Sequence, residues 1–312
     1  MHEKAGRRSQ RPILVTGAYR SGTTWVGRML ALSPRIGYIN EPFNPTIHQP
    51  GVCSATFPLA FQYVSDDEER FRAPLEAMLR FRYQLKAQLG SVKTREELEQ
   101  FLREGWSFLR SRSLGARPLV KDPFAAFSAG WLASTFNMDT VIVVRHPAAF
   151  AASLKRLGWR PPFEDLLAQP ALIRDLLADF EAPMRGMERE SDPMDRSALM
   201  WLMIYSALLR LSDDHPDWIF VRHEDLAMDP VSRFSELFSK LGLRSTPRID
   251  RRILWYSSGP REAERDAPAY EFRRHSRDTI STWRTRLTDD EQKRLRARVG
   301  PLAERFYSDR DW

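Results

Sequence analysis

A run of glycine, hydroxyl and arginine residues, Gly17-Ala18-Tyr19-Arg20-Ser21-Gly22-Thr23-Thr24, lies between an apolar triplet and a helix-forming stretch. Glycines at this spacing let a backbone wrap around an anion. A helix starting near Thr23 would turn its unbonded N–H groups and the positive end of its dipole towards that anion. The pattern is that of the G-x-x-x-x-G-K-[ST] nucleotide-phosphate loop, with Thr23 where the lysine should stand. That lysine reaches the β- and γ-phosphates of a triphosphate, so its absence disfavours kinase or triphosphatase chemistry. Arg20, inside the loop, supplies charge from another direction.

A second anion-binding pattern lies further along the chain. The apolar run Val141-Ile142-Val143-Val144 leads into Arg145-His146-Pro147, and Ser153 follows Arg145 by eight residues. A forked guanidinium at a strand end, with a hydroxyl two turns into the next helix, suits a phosphate dianion.

The elements that must position these residues read as alternating strands and helices. Ile13-Leu14-Val15, Leu119-Val120, Val141–Val144 and Trp218-Ile219-Phe220-Val221 are short apolar runs with strand character, and a further short strand precedes Glu41. Helical pattern separates them, beginning with a helix from about Thr23 to Leu32. The expectation is an α/β fold, a central parallel sheet covered by helices on both faces. Residues 44–117 read as a largely helical insertion, with helix-like spacing over Glu68–Leu89 and Arg95–Leu109. Ser197–Leu209 reads as a buried helix, and Thr288-Asp289-Asp290-Glu291 as the capped start of a last one. The arginine-rich stretch 246–285 is either a lid over a ligand or a ragged C-terminal region, and residues 1–11 read as a disordered basic lead-in. No repeat or linker divides the chain, so a single domain spanning 1–312 is expected.

Tyr19-Arg20-Ser21-Gly22-Thr23-Thr24-Trp25 resembles the 5′-phosphosulfate loop of sulfotransferases that use 3′-phosphoadenosine-5′-phosphosulfate (PAPS). Arg145 and Ser153 resemble that family's 3′-phosphate motif, and Val221-Arg222-His223-Glu224-Asp225-Leu226 with Asp229-Pro230 and Leu241-Gly242-Leu243 matches a further segment common in it. The resemblance spans roughly Ile13 to Leu243, with a weaker Trp283-Arg284 element beyond. It implies the architecture of phosphate-loop nucleotide kinases, sulfuryl transfer from PAPS to an acceptor hydroxyl or amine, and no essential metal. Carried over, Arg20, Ser21, Gly22, Thr23 and Thr24 would hold the 5′-phosphosulfate, Trp25 would lie against the adenine, and Arg145 and Ser153 would bind the 3′-phosphate.

Sulfuryl transfer calls for a base on the acceptor and positive charge on the bridging oxygen. In Golgi-type carbohydrate and tyrosylprotein sulfotransferases a glutamate at about the distance of Glu41 beyond the loop is the base, which makes Glu41 the first candidate here. The cytosolic type carries K-T-H where this chain has Lys121-Asp122-Pro123, so its histidine base has no counterpart. Lys121 suits the bridging oxygen, and Asp122 is the second candidate base or a partner that positions Lys121. This places the chain nearer the Golgi-type and bacterial members than the cytosolic ones. Arg273, Arg274 and Arg277 are candidates for closing over the 3′-phosphate, although the family's glycine pair and tryptophan there are not clearly matched.

Composition constrains partners more than chemistry. With 48 Lys and Arg against 41 Asp and Glu the chain is net +7, which favours anionic partners without choosing among them. No nucleic-acid motif accompanies the charge, so a small-molecule or carbohydrate acceptor is expected. Cys53 is the only cysteine, which leaves no intrachain disulfide and no multi-cysteine metal site. Met1–Pro12 is followed by too short an apolar stretch for a signal peptide, and no run reaches the length of a membrane span, so a cytoplasmic protein is expected. Two rivals remain at this stage: a kinase or triphosphatase of the same loop type, and a non-catalytic nucleotide- or anion-binding protein. Acceptor identity and oligomeric state are not encoded in any recognisable pattern.

Overall fold

The structure, a computed structural model, describes residues 11–312 except 48, 66–68, 91, 188–191 and 260–275. Among these residues five strands form one fully parallel sheet: β1 (Ile13–Gly17), β2 (Ile36–Asn40), β3 (Arg117–Lys121), β4 (Asp139–Val144) and β5 (Ile219–Arg222). Their order is β2-β3-β1-β4-β5. β1 is thus central, paired with β3 from Ile13 opposite Leu119 and with β4 from Ile13 opposite Asp139.

Alternation along the strands explains why the sheet is covered on both sides. Ile13 and Val15 of β1, with Val141 and Val143 of β4, pack into one core; Leu14, Ile142 and Val144 pack into the other. A strand buried on both faces needs apolar side chains at every position, and the sequence reads as continuous rather than alternating runs. One core is covered by α1 (Thr23–Leu30) and by helices that follow β5. The other is covered by α5 (Ala129–Phe136), α6 (Pro147–Leu157) and α7 (Pro193–Asp213).

The insertion between β2 and β3 is less helical than its sequence suggests. Among the described residues 44–65 there is no helix. Phe57 and Phe61 of this stretch instead bury their rings against Phe43, Phe71, Phe124 and Phe127. Helices follow as α2 (Arg72–Leu79), the short α3 (Leu85–Leu89) and α4 (Arg95–Ser113), the last opened by a Thr94–Glu97 capping box. The single run expected over Glu68–Leu89 is broken between α2 and α3, where Phe81 takes a left-handed φ of 52°.

After β5 come α8 (His223–Met228), α9 (Pro230–Lys240) and α10 (Pro247–Ser257). α10 occupies the start of the stretch 246–285, where Ile249 and Ile253 anchor it in the core beside α1. At the other end of that segment Trp283 is also buried, and 260–275, with Arg273 and Arg274, lies outside the described residues. α11 (Asp289–Ala303) has the capping box expected at Thr288. Among the described residues no helix is long and apolar enough to cross a membrane.

The junction of β1 with its loop requires glycine. Gly17 has φ of 138°, and a Cβ built there would lie 2.3 Å from the Val143 carbonyl oxygen on β4. Gly17→Ala is expected to destabilise the fold by about 2 kcal/mol or more, from left-handed strain and the clash together. Urea unfolding checks this, and a variant with unchanged midpoint and slope would contradict it.

Candidate active site

Each strand delivers polar or charged side chains at its carboxyl end, the usual ligand crevice of an open parallel sheet. Arg20 follows β1, Glu41 follows β2, Lys121 ends β3 with Asp122 next, Arg145 follows β4 and His223 follows β5. Neighbouring strands are about 4.8 Å apart, so the sheet itself gathers these residues from five distant parts of the chain.

The loop after β1 is a backbone cradle. Arg20 has φ of 64° and Gly22 φ of 95°, both left-handed. A Cβ at Gly22 would fall 2.4 Å from Nδ1 of His223, so only glycine fits above that ring. The first intrahelical bond of α1 runs from Val26 N–H to the Gly22 carbonyl at 3.1 Å. The N–H groups of Thr23, Thr24 and Trp25 therefore precede the helical ladder and face outward from its start. Ser21 is fully buried, and both its N–H and its hydroxyl donate to the Ala18 carbonyl, which closes the turn. Trp25 is half-buried and meets the rings of His223 and Phe234 edge-on, with centroids 5.4 and 5.2 Å away.

The structure brings Arg20, Arg145 and Ser153 together, as their spacing suggests. Arg20 Nε donates to Ser153 Oγ at 3.2 Å, and its guanidinium carbon stands 5.5 Å from the Trp159 ring centroid. Arg145 Nη1 donates to the Arg20 carbonyl at 2.6 Å. Two guanidinium groups and a hydroxyl thus border the same loop, all of them donors that suit phosphate or sulfate oxygens.

Glu41 and Lys121 form a second cluster, two strands and one strand away from β1. Lys121 is almost fully buried and its Nζ is ion-paired with Glu41 Oε1. Glu41 Oε2 accepts a 2.6 Å hydrogen bond from Asn44 Nδ2. Glu41 has a left-handed φ of 47°, and its N–H donates to the Lys121 carbonyl at 2.8 Å. The lysine stem lies along α1, where Gly27 makes room: a Cβ there would be 3.0 Å from Lys121 Cγ. Burial pushes the Lys121 ammonium pKa down, with the Glu41 carboxylate opposing the shift.

Asp122 faces a different task. It is wholly buried, and its carboxylate accepts from Phe43 N–H at 2.6 Å and from Phe124 N–H at 2.8 Å. Its own N–H donates to the Val15 carbonyl on β1 at 2.9 Å, so Asp122 ties the turn after Glu41 to the central strand.

Several residues at the site carried no chemical signal in the sequence. Tyr205 of α7 puts its hydroxyl between β1 and β4, accepting from Ala18 N–H at 3.4 Å and donating to the Val143 carbonyl at 2.9 Å. Trp201, one turn earlier, donates its indole N–H to the Arg145 carbonyl at 2.9 Å. Glu224 accepts from His146 N–H at 3.0 Å and from the Tyr307 hydroxyl at 2.9 Å. His146 caps α6, accepting at Nδ1 from Ala148 N–H at 3.2 Å, and stacks on Trp283. Burial pushes its pKa down to about 3, so it stays neutral. The signal that was available is the pair Trp201 and Tyr205 on an otherwise apolar helix, since buried indole and phenol groups need partners. Of the C-terminal arginines, Arg277 donates twice to the Met228 carbonyl, at 3.0 and 2.7 Å.

A family described as "Sulfotransferase family" matches residues 12–247. Carbohydrate sulfotransferase 3 of Rattus norvegicus and that of Mus musculus are each 22% identical to this chain over 339 residues, covering 97% of it and 69% of the relative. Among solved structures, the sulfotransferase domain from the curacin biosynthetic pathway is similar with a TM-score of 0.49 and 13% identity, covering 93% of this chain and 97% of that one.

Burial pushes the Asp122 pKa up to about 7, against the hydrogen bonds from Phe43 and Phe124. A carboxyl whose folded pKa lies above its unfolded value contributes stability at low pH that is lost as pH rises through the folded pKa. Asp122→Asn is expected to cost about 1–3 kcal/mol at pH 5, since the amide turns an NH2 donor towards one backbone N–H where even the protonated carboxyl presents an oxygen. The gap to the wild type should narrow by pH 8. Urea unfolding at the two pH values checks this; a gap that widens with pH would contradict it.

Proposed function

The chain belongs to the sulfotransferase family and is an enzyme of sulfuryl transfer, and from that premise we propose how its residues divide the reaction between donor and acceptor. The donor is PAPS, which when bound supplies the sulfuryl group and leaves as adenosine 3′,5′-bisphosphate. The residues present suit it. The Gly22 cradle admits no Cβ, the first-turn N–H groups of α1 face outward, and Arg20, Arg145 and Ser153 add donors without a carboxylate among them.

In this reading Arg20, Gly22, Thr23 and Thr24 hold the phosphosulfate, while Ser21 shapes the loop through Ala18. Arg145 and Ser153 hold the 3′-phosphate, and Trp25 offers its half-buried indole to the base. Glu41 takes the proton from the acceptor hydroxyl. Lys121, already paired with Glu41, neutralises charge that develops on the bridging oxygen. The carrying observation is this ion pair, with a carboxylate just past β2 and a buried ammonium at the end of β3, the strand beside β1. Asp122 positions Glu41 by holding Phe43 N–H, and its bonded carboxylate leaves the base role to Glu41. The acceptor is a carbohydrate hydroxyl, a choice supported by the carbohydrate sulfotransferase relatives.

Glu41→Gln should lower the turnover of PAPS with a saccharide acceptor by about 10²–10⁴-fold, the usual contribution of a general base. Its affinity for adenosine 3′,5′-bisphosphate should change less than threefold. Turnover within a factor of a few of the wild type would overturn the assignment of Glu41.

A further inference from the structure

On the α1 side of the molecule a cleft of about 1260 Å³ opens at the amino ends of β2 and β3, whose first residues Ile36 and Arg117 line it. It lies at the end of the strands opposite to Arg20, Glu41 and Lys121. Its walls come from the end of α1, the turn into β2, α4 and α10 with the loop before it. Arg28, Arg35, Arg110, Arg244, Arg248 and Arg252 stand along those walls, and among the described residues no Asp or Glu does. Arg117 is different, being buried and ion-paired with Asp139.

The arginines are exposed, and Arg35, Arg110, Arg244, Arg248 and Arg252 form no ion pair with a carboxylate among the described residues. A solvated charged surface usually mixes both signs, whereas this concave wall carries one sign only. α10 shows how the sequence builds it. Ile249 and Ile253 bury one side of the helix in the core. Arg248, Arg252 and Tyr256 recur every fourth residue along another side, each about 6 Å from the next. Charges repeated along a wall suit a chain with repeated anionic groups, rather than one compact anion that would draw them to a point. A concave cleft also suits a single chain better than a flat anionic surface or a duplex.

Arg28 reaches from this cleft onto β2, where its guanidinium lies 4.3 Å from the Tyr38 ring centroid. We propose that the cleft binds an anionic oligosaccharide chain, through sulfate or carboxylate groups spaced along it, at a place separate from the reacting hydroxyl. The choice of a saccharide rests on the carbohydrate reading above; the anionic character rests on the arginines alone.

The test is direct binding, without donor or turnover, so that its failure is distinguishable from failure of the carbohydrate reading. Dextran sulfate and hyaluronan are titrated into the full-length protein, with neutral dextran as the uncharged control. The triple substitution Arg244→Gln, Arg248→Gln and Arg252→Gln should weaken binding of both anionic polymers about tenfold or more. Binding should also fall with added salt. Removing three exposed arginines elsewhere, Arg82, Arg103 and Arg310, should change it less than threefold at the same net charge. An unchanged melting temperature and unchanged adenosine 3′,5′-bisphosphate affinity separate loss of the cleft from loss of the fold. The double substitution Arg248→Gln and Arg252→Gln serves if the triple variant fails to fold. Equal losses in the two triple variants, equal binding of neutral dextran, or a loss confined to anionic vesicles or single-stranded DNA would overturn the proposal.

Discussion

The hydroxyl of Tyr205 sits between the two central strands, bonded to Ala18 at the start of the anion loop and to Val143 beside it. The loop depends on being held in that way. Gly17, Arg20 and Gly22 all have positive φ within six residues, and such conformations persist only where the surroundings over-determine them. Here the surroundings are a fully buried phenol, the Val143 carbonyl packed against Gly17, and the His223 ring packed against Gly22. The outcome is a cradle whose shape is set before any anion arrives, which spares the cost of ordering it on binding.

The same arrangement recurs at the next strand ends. Trp201 holds the Arg145 carbonyl, Glu224 holds the His146 N–H, and Asp122 holds the Phe43 N–H. In each case a buried side chain satisfies a backbone group of the turn carrying a candidate site residue, so that strands, turns and candidate groups form one hydrogen-bonded unit. Precise placement of this kind is what catalysis by positioning and charge requires. The pair of buried Lys121 with half-buried Glu41 fits the pattern. A lone ammonium there would be strongly disfavoured by desolvation, and the carboxylate that stabilises it is also the group suited to accept a proton.

The sheet and the anion-loop backbone were legible because their physics is local. Short, continuous apolar runs announce strands buried on both faces, and the Gly17–Gly22 spacing announces an anion loop whatever surrounds it. Arg145 and Ser153 were legible because a strand end and two helical turns fix their separation. The supports were not. Tyr205 and Trp201 read as core residues, and nothing in a helix sequence says which backbone group a buried phenol will reach from 187 residues away. The insertion misled for a related reason: residues 44–65 bury Phe57 and Phe61 through loop geometry, which leaves no periodicity. α10 was obscured because its apolar face is narrow, Ile249 and Ile253 among arginines. Those same arginines fall in the stretch read as a lid or a ragged region, and only the fold gathers Arg248 and Arg252 with Arg28, Arg35 and Arg110.

As proposed, the loop after β1 and the Arg145–Ser153 pair form one site for a nucleotide bearing a 3′-phosphate. Calorimetric titration of adenosine 3′,5′-bisphosphate and of ATP, each with and without magnesium, tests it most directly when repeated on Arg145→Ala. Magnesium-independent binding of the bisphosphate in preference to ATP, weakened at least tenfold by the substitution, is the expected result. Preference for ATP with magnesium, or bisphosphate binding indifferent to Arg145, would contradict it.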